Sequence, residues 1–287
     1  GLLMDSLDKK YKPKLDKQIE AGSTFIKIAL DFIKTILYTG STVKRTYIDI
    51  NSCISVLFRL PLKEDTGEIE DTIKQLFQTF IESSLQENKE LIFLYTIERS
   101  AVHVEIFPEW MKIRNDRVDL KTWGPLNTIL YAIQLFSKDE KRIKLVNIHK
   151  VHPALVIHQN ELGCKNRYLI LSKDNVFKTI TDKRLDLFDG AMYYSNQHYF
   201  RRKPDGIEIQ EPEIFLPYYM AIRGSSREGF EGIYNMGPNR TKTYLEVNKL
   251  NIKAGTEHKY KEWCDKYVAL FDINKLLVLN KEKIPII

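Results

Sequence analysis

Thr46-Tyr47-Ile48-Asp49-Ile50-Asn51 is a short run of β-branched and aromatic residues closed by a polar residue, the pattern of a buried strand that delivers an acid near its carboxyl end. A second run, Leu91-Ile92-Phe93-Leu94-Tyr95-Thr96, is apolar without alternation, as befits a strand covered on both faces. Between them, Glu70 to Leu85 places Ile73, Leu76, Phe77 and Phe80 on one face of an amphipathic helix. Strand, helix, strand at these spacings predicts a parallel sheet covered by helices.

The pattern continues downstream with a helix at about 123–137, a strand from Ile143 to Ile148, a helix at about 153–162 and a strand from Arg167 to Ser172. The fold class is therefore α/β, with a central, mostly parallel sheet flanked by helices. Upstream, Ser23-Thr24 precede an apolar-periodic run (Phe25, Ile28, Ala29, Phe32, Ile33, Ile36, Leu37) that stops at Gly40, an N-capped helix with a glycine end. Residues 1–22 mix five lysines with four acids and read as a flexible arm. Open parallel sheets bind ligands beyond the carboxyl ends of their strands. The positions to inspect are then Asp49, Thr96 to Glu98, His149 to His152, and Ser172 to Asp174.

Past residue 210 the texture changes. Pro212 to Ile222 predicts a helix, followed by Arg223-Gly224-Ser225-Ser226-Arg227-Glu228-Gly229, by Gly232-Ile233-Tyr234-Asn235-Met236-Gly237-Pro238, and by the basic Asn239-Arg240-Thr241-Lys242. Two helices joined by a glycine hairpin fit this stretch. Exposed backbone N–H groups and a basic helix start suit one segment of phosphate backbone. The organisation expected is an arm (1–22), an α/β core (23–210) with an arch segment at about 100–125, and a helical hairpin region with a tail (211–287). The tail's apolar runs, Tyr267 to Ile273 and Leu276 to Leu279, either pack back on the domain or face a partner.

Composition limits the function classes. The 287 residues are 43% hydrophobic with only 13 Gly and 10 Pro, which excludes disordered and collagen-like chains. Most of the net charge of +6 is local, since residues 110–150 hold nine Lys/Arg against four acids, and a basic stretch of that kind points to an anionic partner. Cys53, Cys164 and Cys264 stand far apart with no CxxC pair, so neither a disulfide framework nor a structural zinc site is encoded. No apolar run approaches the ~18 residues of a membrane span, and the N-terminus is polar rather than signal-like. A soluble protein of a reducing intracellular compartment such as the cytoplasm is expected, not a secreted one and without a membrane partner.

In order along the chain, four landmarks resemble the 5′-3′ exonuclease and flap endonuclease family (FEN-like, PIN-like fold), particularly its compact phage members, over roughly residues 44–250. Tyr47 to Asn51 looks like the family's first strand with its metal-binding aspartate, and Phe107-Pro108-Glu109-Trp110-Met111-Lys112-Ile113-Arg114 looks like the "P-E-Y-K-x-x-R" segment entering the arch. Leu169-Ile170-Leu171-Ser172-Lys173-Asp174 is similar to the strand ending in "S-x-D-x-D", and Gly224 to Lys242 to the helix-hairpin-helix region. The resemblance implies that Asp49, Asp174 and Glu228 are the catalytic and metal-binding carboxylates. It implies nucleic-acid contacts at Lys112, Arg114, Arg117, Gly232, Gly237, Arg240 and Lys242, with DNA, as a flap or junction, ahead of RNA.

The departures matter more, because the family's chemistry needs a dense carboxylate cluster around two divalent ions. The strand-end aspartate is Thr96, with Glu98 nearby; the glutamate-plus-aspartates run reads His149-Lys150-Val151-His152-Pro153-Ala154; the acids after Asp174 become Val176 and Lys178; and the first hairpin-region aspartate is Ser225. Three scattered carboxylates would hold one ion at most. The chain thus reads as a degenerate, pseudoenzyme member that binds nucleic acid without a cofactor. Two alternatives stand beside this: an active 5′-nuclease using Mg²⁺ or Mn²⁺ through an altered ligand set, and a protein-interaction subunit of a replication or transcription assembly. Glu98, Glu105, Asp182, Asp186 and Asp189 are candidate replacement acids, and His149 and His152, with His103 and His158, are candidate zinc ligands whose plainer reading is as loop residues at a strand end.

Overall fold

A computed structural model describes residues 43–51, 90–112, 133–134, 137–172, 174–180, 182, 184–188, 193–195 and 212–287. The expected arm at 1–22, the helices at 23–40 and 70–85, most of the helix at 123–137, Cys53, Arg114, Arg117 and Asp189 lie outside these residues.

Among the described residues six strands form one sheet: β1 (Arg45–Asp49), β2 (Glu90–Tyr95), β3 (Ile143–Asn147), β4 (Tyr168–Leu171), β5 (Leu185–Phe188) and β6 (Tyr193–Ser195), in the order β3-β2-β1-β4-β5-β6. The first five are mutually parallel and β6 runs antiparallel at the edge. Parallel strands covered on both faces need near-continuous apolar sequence; accordingly Leu91, Ile92, Phe93 and Leu94 of β2, and all of β4, are buried. The strand order reverses between β1 and β4. This is the topological switch point, where side chains at the two strand ends face a shared crevice.

The short helix α1 (Ala101–Ile106) follows β2, and α2 (Pro153–Glu161) runs between β3 and β4. Helix α2 begins at Pro153, whose fixed φ suits a first helical position, and His152 caps it by accepting the Ala154 N–H at Nδ1, 3.0 Å away. Ala154, Leu155, Val156 and Ile157 are all buried, because the helix is packed between the sheet and the C-terminal helix α7 (Ile273–Leu279).

The second half is helical: α3 (Pro212–Arg223), α4 (Pro238–Val247), α5 (Lys249–Ala254), α6 (Lys261–Tyr267) and α7. The link between α3 and α4 is more than a glycine hairpin. It contains a two-stranded ribbon, β7 (Gly224–Ser225) with β8 (Phe230–Glu231), around a 3₁₀ turn at Ser226–Glu228. A Cβ on Gly224 would stand 2.3 Å from Gly232 N, and one on Gly232 would stand 2.2 Å from Ile222 O, so both glycines are required by backbone contact.

The tail packs back on the domain. Cys264, Val268, Leu270, Phe271, Ile273 and Leu276 are buried, and Ile284 and Ile287 lie against the sheet core. A second core joins Trp110 to Leu216, Tyr219, Ile222, Phe230, Leu270 and Phe271, which ties the segment after α1 to the helical half.

Candidate functional site

Asp49 closes β1 and Ser172 and Asp174 follow β4, so the switch point brings together residues 123 or more positions apart. Ser172 Oγ donates to Asp49 Oδ2 at 2.7 Å and accepts the Asp174 N–H at 3.1 Å, fixing the two acids relative to each other. Asp174 Oδ1 accepts the Val176 N–H at 2.9 Å and caps the 3₁₀ turn Asn175–Thr179. That turn points Val176 into the core, so the position where the resemblance expects an acid serves packing.

His152 is a built part of the site rather than a loop residue. Because the Ala154 N–H donates to Nδ1, the ring proton sits on Nε2, which donates to Asp174 Oδ2 at 2.7 Å. Behind it His103 lies tilted with its ring centre 5.0 Å away, and Trp110 stacks on His103 at 4.6 Å. His103 is itself fully engaged: Ser100 Oγ donates to Nδ1 at 2.8 Å and Nε2 donates to Leu270 O at 2.9 Å. Burial, reinforced by the neighbouring His152, lowers its pKa to about 3, so it stays neutral.

From the helical half, the 3₁₀ turn of the β7–β8 ribbon supplies Arg227 and Glu228. Arg227 enters the gap between the carboxylates: one terminal guanidinium nitrogen donates to Glu228 Oε1 at 3.0 Å and stands 3.4 Å from Asp174 Oδ2. Its side chain is 17% exposed. Ser225 Oγ donates to the other Glu228 oxygen, and the Met111 N–H donates to Glu228 O at 2.9 Å, with Met111 held at a positive φ of 59°. The ribbon, the segment after α1 and the carboxyl end of the sheet are thereby locked together around Arg227.

The acids respond to this arrangement in opposite directions. Burial pushes the Asp49 carboxyl up, against the Arg227 charge and the Ser172 hydrogen bond. Burial and then the nearby Asp174 push Glu228 up as well, against Arg227 and Ser225. For Asp174 burial is again the largest influence, but His152, Arg227 and the Val176 N–H together outweigh it and hold its pKa below the ordinary carboxylate range. Burial disfavours the Arg227 charge, and Asp174, Glu228 and Asp49 more than restore it. Among the described residues three acids face one guanidinium here, which offsets only part of the cost of burying Asp49 and Glu228.

Of the expected replacement acids, Glu98, Glu105 and Asp182 are occupied elsewhere. Thr96 and Asn51 clamp the ends of β1 and β2: Asn51 Nδ2 donates to Thr96 O at 2.6 Å and the Thr96 N–H returns to Asn51 Oδ1 at 2.9 Å. The Thr96 hydroxyl donates to His149 O and accepts the Glu98 N–H. Glu98 pairs with His149 at 3.3 Å, Glu105 with Lys281 at 3.1 Å, and Asp182 with Arg184 at 2.5 Å. Among the described residues no three His, Cys, Asp or Glu side chains converge as an ion would require. The donor set does not fit a divalent ion: a guanidinium stands among the carboxylates, and neither ring nitrogen of His152 has a lone pair to offer.

Of the expected nucleic-acid contacts, Lys112, Gly237 and Arg240 lie on the surface. Lys112 is 51% exposed and 3.6 Å from Glu109. Gly237 is the uncapped N-cap of α4; Arg240, exposed on the first turn, donates to Asn235 O at 3.3 Å, and Lys242 is half-buried. In the turn before them Asn235 takes a left-handed φ of 62° and Tyr234 is 95% exposed. Sequence reasoning placed Asp49, Asp174 and Glu228 and singled out His152 as a zinc ligand or loop residue, but it missed Arg227 and the capping and hydrogen-bonding role of His152. The available signals were an arginine directly preceding a presumed ligand acid and a His-Pro pair at a helix start.

No protein-family model matches the chain, and no curated protein sequence is similar to it. Solved structures are similar in fold. The bacteriophage T5 flap endonuclease, in a pseudo-enzyme–product complex with DNA and metal ions, superposes with a TM-score of 0.56 at 13% identity over 82% of this chain and 91% of that one. The T5 5′-exonuclease with bound zinc gives 0.54 at 13% identity, over 82% of this chain and 96% of that one. The chain has the flap-endonuclease and 5′-exonuclease-like fold.

Proposed function

We propose that the protein binds branched or flap-bearing DNA through this fold and does not cleave it. The observation that carries the reading is Arg227, set among Asp49, Asp174 and Glu228 where metal-assisted hydrolysis would need open carboxylate oxygens. Support for the nucleic-acid partner comes from the T5 flap endonuclease, which is solved with DNA, and from the charge of residues 110–150. DNA would lie across the carboxyl ends of the strands, reaching Lys112 on one side and Gly232, Gly237 and the start of α4 with Arg240 and Lys242 on the other. Contacts made by lysine, arginine and backbone N–H groups give affinity that falls steeply with salt and carries little sequence preference. Arg114 and Arg117 belong to this proposed surface by sequence.

The test is one gel series with labelled 5′-flap DNA at low salt, in EDTA, Mg²⁺ or Mn²⁺, scoring retardation and cleavage. The expected result is EDTA-insensitive retardation without product, with the association constant falling by about 0.9 log unit per log unit of salt for each phosphate contacted. Product that forms only with Mg²⁺ or Mn²⁺ and disappears in Asp174→Ala would establish instead an active nuclease with Asp49, Asp174 and Glu228 as its ligand set. Absence of retardation on every junction at low salt would leave the protein-interaction role.

A further inference from the structure

The remnant acids are not merely too few; they are organised around a cation that the chain itself supplies. Arg227 sits on a turn with little freedom, because Gly224 and Gly232 allow the ribbon to close by direct backbone contact and Met111 fastens Glu228 from the other side. Its guanidinium shares one nitrogen between Glu228 and Asp174 and adds favourable charge to Asp49. A divalent ion binding these carboxylates would need oxygen contacts of roughly 2.0–2.6 Å. It would therefore lie against a guanidinium nitrogen already 3.0 Å from one of the same oxygens, with both cations in a poorly solvated site. Arginine does not lose its proton to make way, and the His152 proton faces Asp174.

We infer that Arg227 is the resident cation of this site: its guanidinium takes the place of a divalent ion among Asp49, Asp174 and Glu228, and the site accepts such an ion only when Arg227 is replaced. This deepens the non-cleaving reading above and rests on it, but its test does not use DNA.

The full chain, stripped with EDTA, is melted with increasing Mn²⁺. The wild type is expected to melt at the same temperature throughout. Arg227→Gln, which keeps polarity and volume but not the charge, is expected to melt lower in EDTA and to gain about 2 °C at an ion concentration near ten times its dissociation constant. The gain is expected to vanish in the double variant Arg227→Gln/Asp174→Asn. Terbium luminescence on the same samples reports occupancy directly, absent in the wild type and present in Arg227→Gln. A Mn²⁺-dependent rise in the wild type that Asp174→Asn removes would overturn the inference, as would an Arg227→Gln protein that ignores the ion or shows no folded circular dichroism with or without it. Either result leaves gel retardation of DNA by the wild type untouched, so the two readings fail separately.

Discussion

The two ends of the sheet carry clusters built from the same residue types with opposite electrical bookkeeping. At the amino ends of the strands, buried Glu161 accepts from Tyr47 OH at 2.7 Å and from Arg45 at 2.6 Å, with Arg184 3.4 Å from its other oxygen. Arg184 is held in turn by Asp182, and Arg45 by Glu90, which also meets Lys144 at 3.7 Å. Three cations face three acids. At the carboxyl ends, among the described residues one arginine faces Asp49, Asp174 and Glu228, and two of the acids have raised pKa values. A balanced cluster at the closed end fastens strand starts to α2; at the switch point the described acids outnumber the described cations.

The contrast predicts unequal costs. Arg227→Met is expected to destabilise the fold by about 3–5 kcal/mol, since it takes a counter-charge away from buried acids. Glu161→Ala should cost less, about 2–3 kcal/mol, because Arg45 and Arg184 can turn their partly exposed guanidinium groups to water. Urea unfolding of both variants at neutral pH checks the order, and a larger loss at Glu161 would invert the assignment of the two ends.

Acid should loosen the carboxyl end through the stack beneath it. The unfolded chain protonates His103 near its ordinary 6.5, whereas the folded chain excludes that proton down to about 3. The stability owed to neutral His103 is complete above 6.5 and is lost as pH falls, at up to about 1.4 kcal/mol per pH unit. Asp174, whose folded pKa is lowered, adds its own loss below its ordinary 3.8. Stability measured from pH 7 to pH 4 in the wild type and in His103→Gln should show the slope flatten in the variant, and parallel slopes would rule out His103 as its source.

The smallest effect expected is at Asp49, and its sign is the informative part. Its raised pKa means that the folded state disfavours the carboxylate, so stability is lost as pH rises through that value. Asp49→Asn removes that loss and should be neutral or stabilising by about 1 kcal/mol at pH 8. Destabilisation that grows with pH would show that the ionised form is needed there.

Much of the fold was legible along the chain. The strands expected at Ile143–Ile148 and Arg167–Ser172 are found at Ile143–Asn147 and Tyr168–Leu171, and the helices expected at about 153–162 and at Pro212–Ile222 are found at Pro153–Glu161 and Pro212–Arg223. Runs of apolar residues with a period of two or 3.6, ended by Pro, Gly or a capping side chain, are local signals and survive folding. The ribbon inside Gly224–Glu231 was not legible: two-residue strands have no periodicity, and only the contact of Gly224 with Gly232 shows why both are glycine. The fate of the tail was equally open until Leu270 O was found accepting from His103 and Phe271 packing on Trp110.

The sequence by itself determined an α/β sheet with acids at particular strand ends, and it showed that several positions where its resemblance expects carboxylates hold other residues. Whether those that remain lie open, pair with the replacement acids or are neutralised is not a local property. It depends on which of 44 lysines and arginines is carried into the switch-point crevice when the helical half closes on the sheet. Only the tertiary structure decided that it is Arg227, because a buried charge is settled by the groups that surround it in space, and those come from β1, the β4 end, α2's cap and the ribbon together.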